Sequence, residues 1–419
     1  MLSHGQGYAP AVMTPVAAPR IEEVRAKFPS LSGSDVYMDN AGGSQVPAMV
    51  PDAIRDYMLN SYVQVGAEYP ASQRATQTVA DAHAMTNTLL GGERVGRTIL
   101  GSSSSTLCRM LADSYAEALS PGDEIIVGES GHEANVGPWA NLAKRGFIVK
   151  PWRPNPTTGV CELEELKSLL GPRTKVVAFV QVSNILGHVE EFAPCIEAAH
   201  SVGARVVMDG VAYAPHLAAD VESWNVDWYV VSCYKVFGPH IGALFGKHEA
   251  IAELTGPNHY FLAKDYLPGK FELGGANHES CAGLLGSRPY FNWLANREQF
   301  DRTTVVEAFK AIEELERPLS AQFLDFLNSK PNVRIVGRST ADRSRVPTIS
   351  FVHDSVPSKA IADKAMAAGI GIRWGNFYSV RLLERMGIDP KSGVARASFA
   401  HYNTADEVDR LIAALDPIL

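Results

Sequence analysis

Cysteine is scarce and unpatterned in this 419-residue chain: Cys108, Cys161, Cys195, Cys233 and Cys281 are an odd number, widely spaced, with no CxxC pair. That argues against a disulfide framework or a zinc site and fits a reducing, cytoplasmic setting. No apolar run approaches the ~20 residues needed to span a bilayer, so a membrane role has no support. Residues 1–19 contain no Lys or Arg, so they lack the positive start of a signal peptide, and their Pro, Gly and Ala read as a flexible arm. Positive charge is short overall. There are 38 Lys and Arg against 46 Asp and Glu, a net charge of -8, with no basic run to follow a phosphate backbone. Nucleic acid is not an expected partner. Internal repeats are absent, and so is low complexity outside the arm.

What is present is an ordinary globular composition, 46% hydrophobic and 20% charged, enough for one large and one smaller domain. Between residues 95 and 250, short β-rich runs at 124–127, 175–180, 205–208 and 227–231 alternate with helical patterns. Runs that are apolar on both faces imply a mostly parallel sheet covered by helices, an α/β domain. Beyond residue 286 come a long helical stretch at 304–327, strand-like runs at 333–336 and 348–352, a helix near 359–368 and a strand at 395–398, suggesting a small α+β domain. The last helix opens with Thr404-Ala-Asp-Glu407, a capping box. The expected division is an arm at 1–20, a segment at 21–45 packing with the small domain, a large domain at 46–288 and a small one at 289–419.

Three features carry chemistry. Val231-Ser-Cys-Tyr-Lys-Val-Phe-Gly-Pro-His240 sets Lys235 just past an apolar strand, where desolvation leaves a neutral amine able to form an imine. Taken singly, Lys235 reads better as a side chain snorkelling to water. Asp209 ends the run Arg205-Val-Val-Met208 at a strand's carboxyl edge, where ligands bind in open α/β sheets. A buried carboxylate needs a cation there, and a protonated pyridine nitrogen is one; a strand-end Asp capping the next turn is the other reading. Leu100-Gly-Ser-Ser-Ser-Ser-Thr106 precedes a helix from Leu107, so Ser102 and Ser103 with the helix N-terminus form a phosphate seat, or merely an N-cap. Together the three point to pyridoxal phosphate (PLP).

The order of motifs resembles the class V aminotransferase family of fold-type I PLP enzymes, in its cysteine-desulfurase-like branch, over nearly the whole chain. The resemblance implies a large domain with a mostly parallel, seven-stranded-type sheet, a small C-terminal α+β domain, and a homodimer with shared active sites. Tyr37-Met-Asp-Asn-Ala-Gly-Gly-Ser44 looks like the substrate loop, which implies Asn40 and Ala41 at the substrate. Gly131-His-Glu-Ala-Asn135 implies that His132 stacks on the cofactor ring, and Val182-Ser-Asn-Ile-Leu-Gly187 implies Asn184 at the ring hydroxyl. The resemblance gives Lys235 the Schiff base, Asp209 the pyridine nitrogen and Ser232 the phosphate. In Val394-Ala-Arg-Ala-Ser398 it gives Arg396 the substrate carboxylate, with Arg373 a second active-site arginine. Phe271-Glu-Leu-Gly-Gly275 resembles the loop that reaches the neighbouring subunit's phosphate, with Gly275 where a Thr hydroxyl is usual.

Departures narrow the chemistry. The cysteine nucleophile of persulfide-forming desulfurases is matched by Tyr378, and the residue before the lysine is Tyr234 where those enzymes have His. In texture, Asp39-Asn-Ala-Gly-Gly-Ser-Gln45, Asn60-Ser-Tyr-Val-Gln-Val-Gly66 and Asn258-His-Tyr260 are closest to the branch holding the fungal loline-pathway PLP enzyme and the ustiloxin-pathway decarboxylating aldolase. The expected activity is a biosynthetic lyase-type reaction on an amino acid, either β-elimination or decarboxylation with carbon-carbon bond formation. The alternatives are a cysteine desulfurase using a displaced thiol such as Cys233 or Cys281, an aminotransferase, and a PLP-binding scaffold without turnover. Specificity is expected in loops at 69–74 and 258–267.

Overall fold

In the computed structural model, which describes residues 19–263 and 265–419, the apolar runs assemble into a seven-stranded sheet. All but the last two residues of the expected arm lie outside the described residues. The strands are β1 (Gly96–Gly101), β2 (Glu124–Gly128), β3 (Ile148–Trp152), β4 (Thr174–Val180), β5 (Arg205–Asp209), β6 (Trp228–Ser232) and β7 (Gly242–Lys247), in spatial order β1-β7-β6-β5-β4-β2-β3. Pairings from β3 across to β6 are parallel, and β7 is antiparallel to both β6 and β1. β1 therefore points the same way as the parallel strands. Alternate side chains serve opposite faces, as the period-two geometry of a strand requires: Tyr229 and Val231 enter one buried cluster, Trp228 and Val230 the other.

A second, four-stranded antiparallel sheet follows the helix Arg302–Asn328, whose Asp301 caps the Thr304 N–H. Its strands β8 (Val333–Val336), β9 (Thr348–His353), β10 (Arg373–Gly375) and β11 (Val394–Ser398) lie in the order β10-β11-β9-β8. Phe323, Leu324 and Leu327 of the long helix share a core with Ile349, Phe351, Ala395 and Ala397 of this sheet. The chain's early residues join it too: Val36–Tyr37 pairs in parallel with Ile370–Gly371, and Asp39 bridges to Ser398. The Thr404/Glu407 capping box forms in full.

Three local differences from the sequence reading have simple causes. The helix α1 (Ser104–Ala118) begins three residues before Leu107, because the Ser103 hydroxyl accepts from the Thr106 N–H and starts the helix there. Residues 70–74, expected in a specificity loop, are the first turns of the helix Pro70–Leu90, with proline at its favourable first position. β3 and β7 went unread because Lys150-Pro151 breaks one apolar run and Gly242 and Gly246 dilute the other. Among the described residues no helix is long and apolar enough to cross a membrane, and no cluster of three or more His, Cys, Asp or Glu could hold a metal.

Gly242 fixes the spacing between β7 and α1. A Cβ there would lie 2.4 Å from the Ser103 carbonyl carbon and from the Ser104 nitrogen, both backbone atoms. Gly242→Ala is expected to push the start of α1 away from the sheet and to destabilise by about 1–3 kcal/mol, seen as a lower midpoint in urea unfolding; an unchanged midpoint contradicts this packing.

Candidate active site

The carboxyl ends of the parallel strands deliver most of the site, as the physics of open α/β sheets leads one to expect. β5 ends on Asp209, β6 ends on Ser232 and turns into Lys235, β4 leads to Asn184, β2 to His132, and β1 to the serine run. β11 carries Arg396 and β10 Arg373 from the other sheet, the two opposite one another in register. A cavity of about 630 Å³ opens between them, lined by Lys235, His132, Asn184, Arg373, Arg396 and Tyr378, with Ala41 and Tyr234 at its wall.

Burial sets the charge states. Desolvation, reinforced by the positive charge of Arg396, pulls the Lys235 amine down to about 8, against the weaker opposing pull of Asp209 and Asp39. Desolvation raises the Asp209 carboxyl to about 6 although the Val211 N–H donates to it at 2.9 Å. Asp209 is 4% exposed and, among the described residues, forms no ion pair. His132 is held down at about 4 by burial and by Lys235 and Arg396, so its ring is neutral at physiological pH. Its Nδ1 accepts from the Ala134 N–H at 3.0 Å, which leaves the ring proton on Nε2.

Arg396 is 2% exposed, and three groups hold it. One terminal nitrogen donates to the Asn184 carbonyl at 3.2 Å, the other to Asp39 at 2.9 Å, and the Phe377 ring lies 3.7 Å from the guanidinium carbon. Among the described residues its Nε has no hydrogen-bond partner. Arg373 reaches the second Asp39 oxygen at 3.7 Å with most of its side chain exposed. The Asn184 amide donates to the Phe377 carbonyl at 2.9 Å and accepts from the Ser379 hydroxyl at 2.9 Å. Phe377 and Tyr378 both sit in the left-handed region, φ 48° and 60°, and the Tyr378 ring centres 5.1 Å from that of His132. Tyr234 stacks on His240 at 4.3 Å.

Not every expected residue reaches the cavity. Asn40, expected at the substrate, lies beneath it: its amide nitrogen donates to Tyr37, Ser398 and Asn403, and its oxygen accepts from the Tyr402 hydroxyl. Fully committed in this way, it shapes the loop that presents Ala41 and Asp39. Gly275 is exposed with φ 85°, outside the cavity wall of its own chain. Ser103 uses its hydroxyl in the helix cap and Ser102 donates to Thr106, whereas Ser104 bonds Ser232 at 2.8 Å. Three participants escaped sequence reasoning: Asp39, Phe377 and Ser104. Of these only Asp39 left a signal, an acid set directly after the apolar run Val36-Tyr-Met38.

The sequence profile of the family "Aminotransferase class-V" matches residues 36–411. The chain is 35% identical over 408 residues to "Aminotransferase-like protein FGM3" of Gibberella zeae, covering 95% of this chain and 98% of that one. It is 31% identical to "Cysteine desulfurase-like protein ustD" of Aspergillus flavus, over 95% of this chain and 90% of the relative. Among solved structures it is similar to the cysteine desulfurase CsdA of Escherichia coli, with a TM-score of 0.82 and 28% identity over 96% and 98% of the two chains. The fold also matches a cysteine desulfurase of Thermococcus onnurineus NA1, with a TM-score of 0.84 at 22% identity over 97% and 99%.

The cofactor of this family is PLP, and the residues present fit it on their own geometry. Asp209 is a buried carboxylate without a cation, Lys235 a buried amine biased toward neutrality, and the start of α1 with Ser104 and Ser232 collects donors suited to a phosphate. An amine must be neutral to attack an aldehyde. At pH 7.5 a group of pKa 8 is about one-quarter neutral, whereas an ordinary lysine is only about one-thousandth neutral. Covalent capture of PLP by cofactor-free protein, followed by visible absorbance, is therefore expected to rise with pH through about 8 and to vanish in Lys235→Ala. A midpoint near that of free lysine contradicts the assignment.

Proposed function

We propose, from the premise that this chain belongs to the class-V aminotransferase family, that it is a PLP-dependent enzyme catalysing a lyase-type reaction at the α or β carbon of an amino acid. The reading is carried by the pairing of a poised Lys235 amine with a cavity that no thiol lines. All five cysteines are buried. Burial pushes Cys161, Cys195, Cys233 and Cys281 to about 12 and Cys108 upward as well, so none presents a thiolate. This weighs against persulfide formation at a displaced cysteine.

Each residue has a task that follows from its surroundings. Bound PLP supplies an electron sink for the pair released when a bond at Cα breaks. Asp209, dry and without an ion pair among the described residues, would hold a protonated pyridine nitrogen. Lys235, its amine brought down to about 8, would be able to take a proton at Cα and return it. Arg396 anchors the substrate carboxylate with Arg373 beside it, since a planar guanidinium offers parallel N–H donors to the two oxygens. His132 gives the ring an uncharged face. Ser232, Ser104 and the N–H groups at the start of α1 would hold the phosphate, and Tyr378 lies beside His132 at the cavity wall.

The same reading makes the protein a homodimer in which Gly275 reaches the other copy's site. Its support is an exposed apolar set near that loop and the helix Met49–Asn60, including Leu59, Tyr62, Tyr260, Phe261 and Leu273.

Incubated with L-cysteine and PLP, the protein is expected to carry no added sulfur by intact mass spectrometry, while a screen of amino acids yields an elimination or carbon-carbon coupling product. Asp209→Asn is expected to lower that turnover by about 10²-fold or more. A persulfide on any cysteine sinks the lyase reading in favour of desulfuration.

A further inference from the structure

One charged side chain beside the cavity has no task in the reading above. Asp39 places one oxygen 2.9 Å from Arg396 and the other 3.7 Å from Arg373. Its position is fixed from several sides. The Asp39 carbonyl accepts from the Gly42 N–H at 2.9 Å, the residue bridges to Ser398, and the Ser398 hydroxyl accepts from the Ala41 N–H at 2.8 Å. A Cβ at Gly42 would fall 2.9 Å from Asp39 Oδ2 and 3.1 Å from the Asp39 carbonyl oxygen, so a side chain there would press on Asp39. Arg396, meanwhile, is almost wholly buried with its Nε unpartnered. Two guanidinium groups thus face one protein carboxylate, which leaves a surplus of one positive charge.

We infer that Asp39 is an internal carboxylate that occupies half of the arginine pair and restricts the site to amino acids carrying a single carboxylate and no acidic side chain. The substrate carboxylate takes the surplus charge. A second carboxylate on the ligand meets the Asp39 carboxylate between the two guanidinium groups, and specificity of this kind comes from repulsion built into a site. Asp39 is accordingly a specificity-determining residue. The inference rests on the reading of Arg396 as the carboxylate anchor.

The test uses holoenzyme and two unreactive probes, propionate with one carboxylate and succinate with two, their dissociation constants measured by calorimetry. The wild-type protein is expected to prefer propionate. Asp39→Asn is expected to shift the succinate-to-propionate affinity ratio toward succinate by about tenfold or more, and Asp39→Glu to keep the wild-type preference. An unchanged ratio in Asp39→Asn overturns the inference, as does an equal loss of both probes, which is what a purely structural role predicts. Should Asp39→Asn not fold, Arg373→Gln, at a mostly exposed side chain, asks the same question from the other side: succinate must weaken more than propionate, and a parallel loss overturns the inference. Arg396→Gln separates the two readings. If it leaves propionate binding intact, the anchor assignment itself fails; if propionate is lost while Asp39→Asn leaves the ratio unmoved, only the role of Asp39 fails.

Discussion

An amine and a carboxylate are buried in one site without being joined to each other, and the rest of the site depends on that separation. Had Lys235 and Asp209 closed into an ion pair, each would have satisfied the other, and neither would need an outside partner. Apart, both are moved toward neutrality by the same dry surroundings, the amine down to about 8 and the acid up to about 6. Their strands are neighbours, with Asp209 opposite Val230. The turn after β6 keeps them apart. It folds back through the Cys233 N–H to the Ile241 carbonyl and the Gly238 N–H to the Cys233 carbonyl, with Phe237 in the left-handed region at φ 58°. A cofactor with a basic ring nitrogen and an aldehyde answers both groups at once, which explains why such an arrangement is tolerated in a cofactor enzyme.

The second sheet delivers a fixed positive charge. Arg396 can be buried because every element around it yields something: a carbonyl from the loop after β4, a carboxylate from residue 39, and an aromatic face from residue 377. Removing one member of such a group leaves an uncompensated buried charge, which costs more than the pair contributed. The early segment and the β9–β11 sheet are therefore bound together for an electrostatic reason as well as through the Val36–Tyr37 pairing.

How much of this was legible depends on the range of each contact. Strands β2, β4, β5 and β6 could be read because their β-branched runs are apolar on both faces. Lys235 and Asp209 could be read because charges at the ends of such runs need a reason to be there. The capping box at Thr404 is local and was equally clear. Asp39 was not, since its partner lies 357 positions away and its role exists only after two sheets have met. Asn40 drew attention through the same motif. Its amide turned out to be consumed by Tyr37, Ser398 and Asn403, because a buried amide must bond wherever the fold puts it. Strand β7 was hidden by Gly242, whose missing side chain is the condition for packing against α1.

The loop at 376–379 is held at its backbone and at Ser379. Two successive non-glycine residues in the left-handed region, Phe377 and Tyr378, cost on the order of 1–3 kcal/mol each and persist only where neighbours over-determine them. Here the neighbours are explicit. The Asn184 amide grips the loop at both Phe377 and Ser379, the Glu133 N–H donates to the Tyr378 carbonyl at 2.8 Å, and Arg381 pairs with Glu129 and Glu133. All of these contacts are made to backbone or to other residues, and none uses the Tyr378 ring. The contacts that hold the backbone thus leave out the Tyr378 ring, which lies beside His132 at the cavity. Substitution at that position exchanges the group presented to the substrate and leaves its support intact. A tyrosine there sets an aromatic phenol beside His132 at the edge of the cavity.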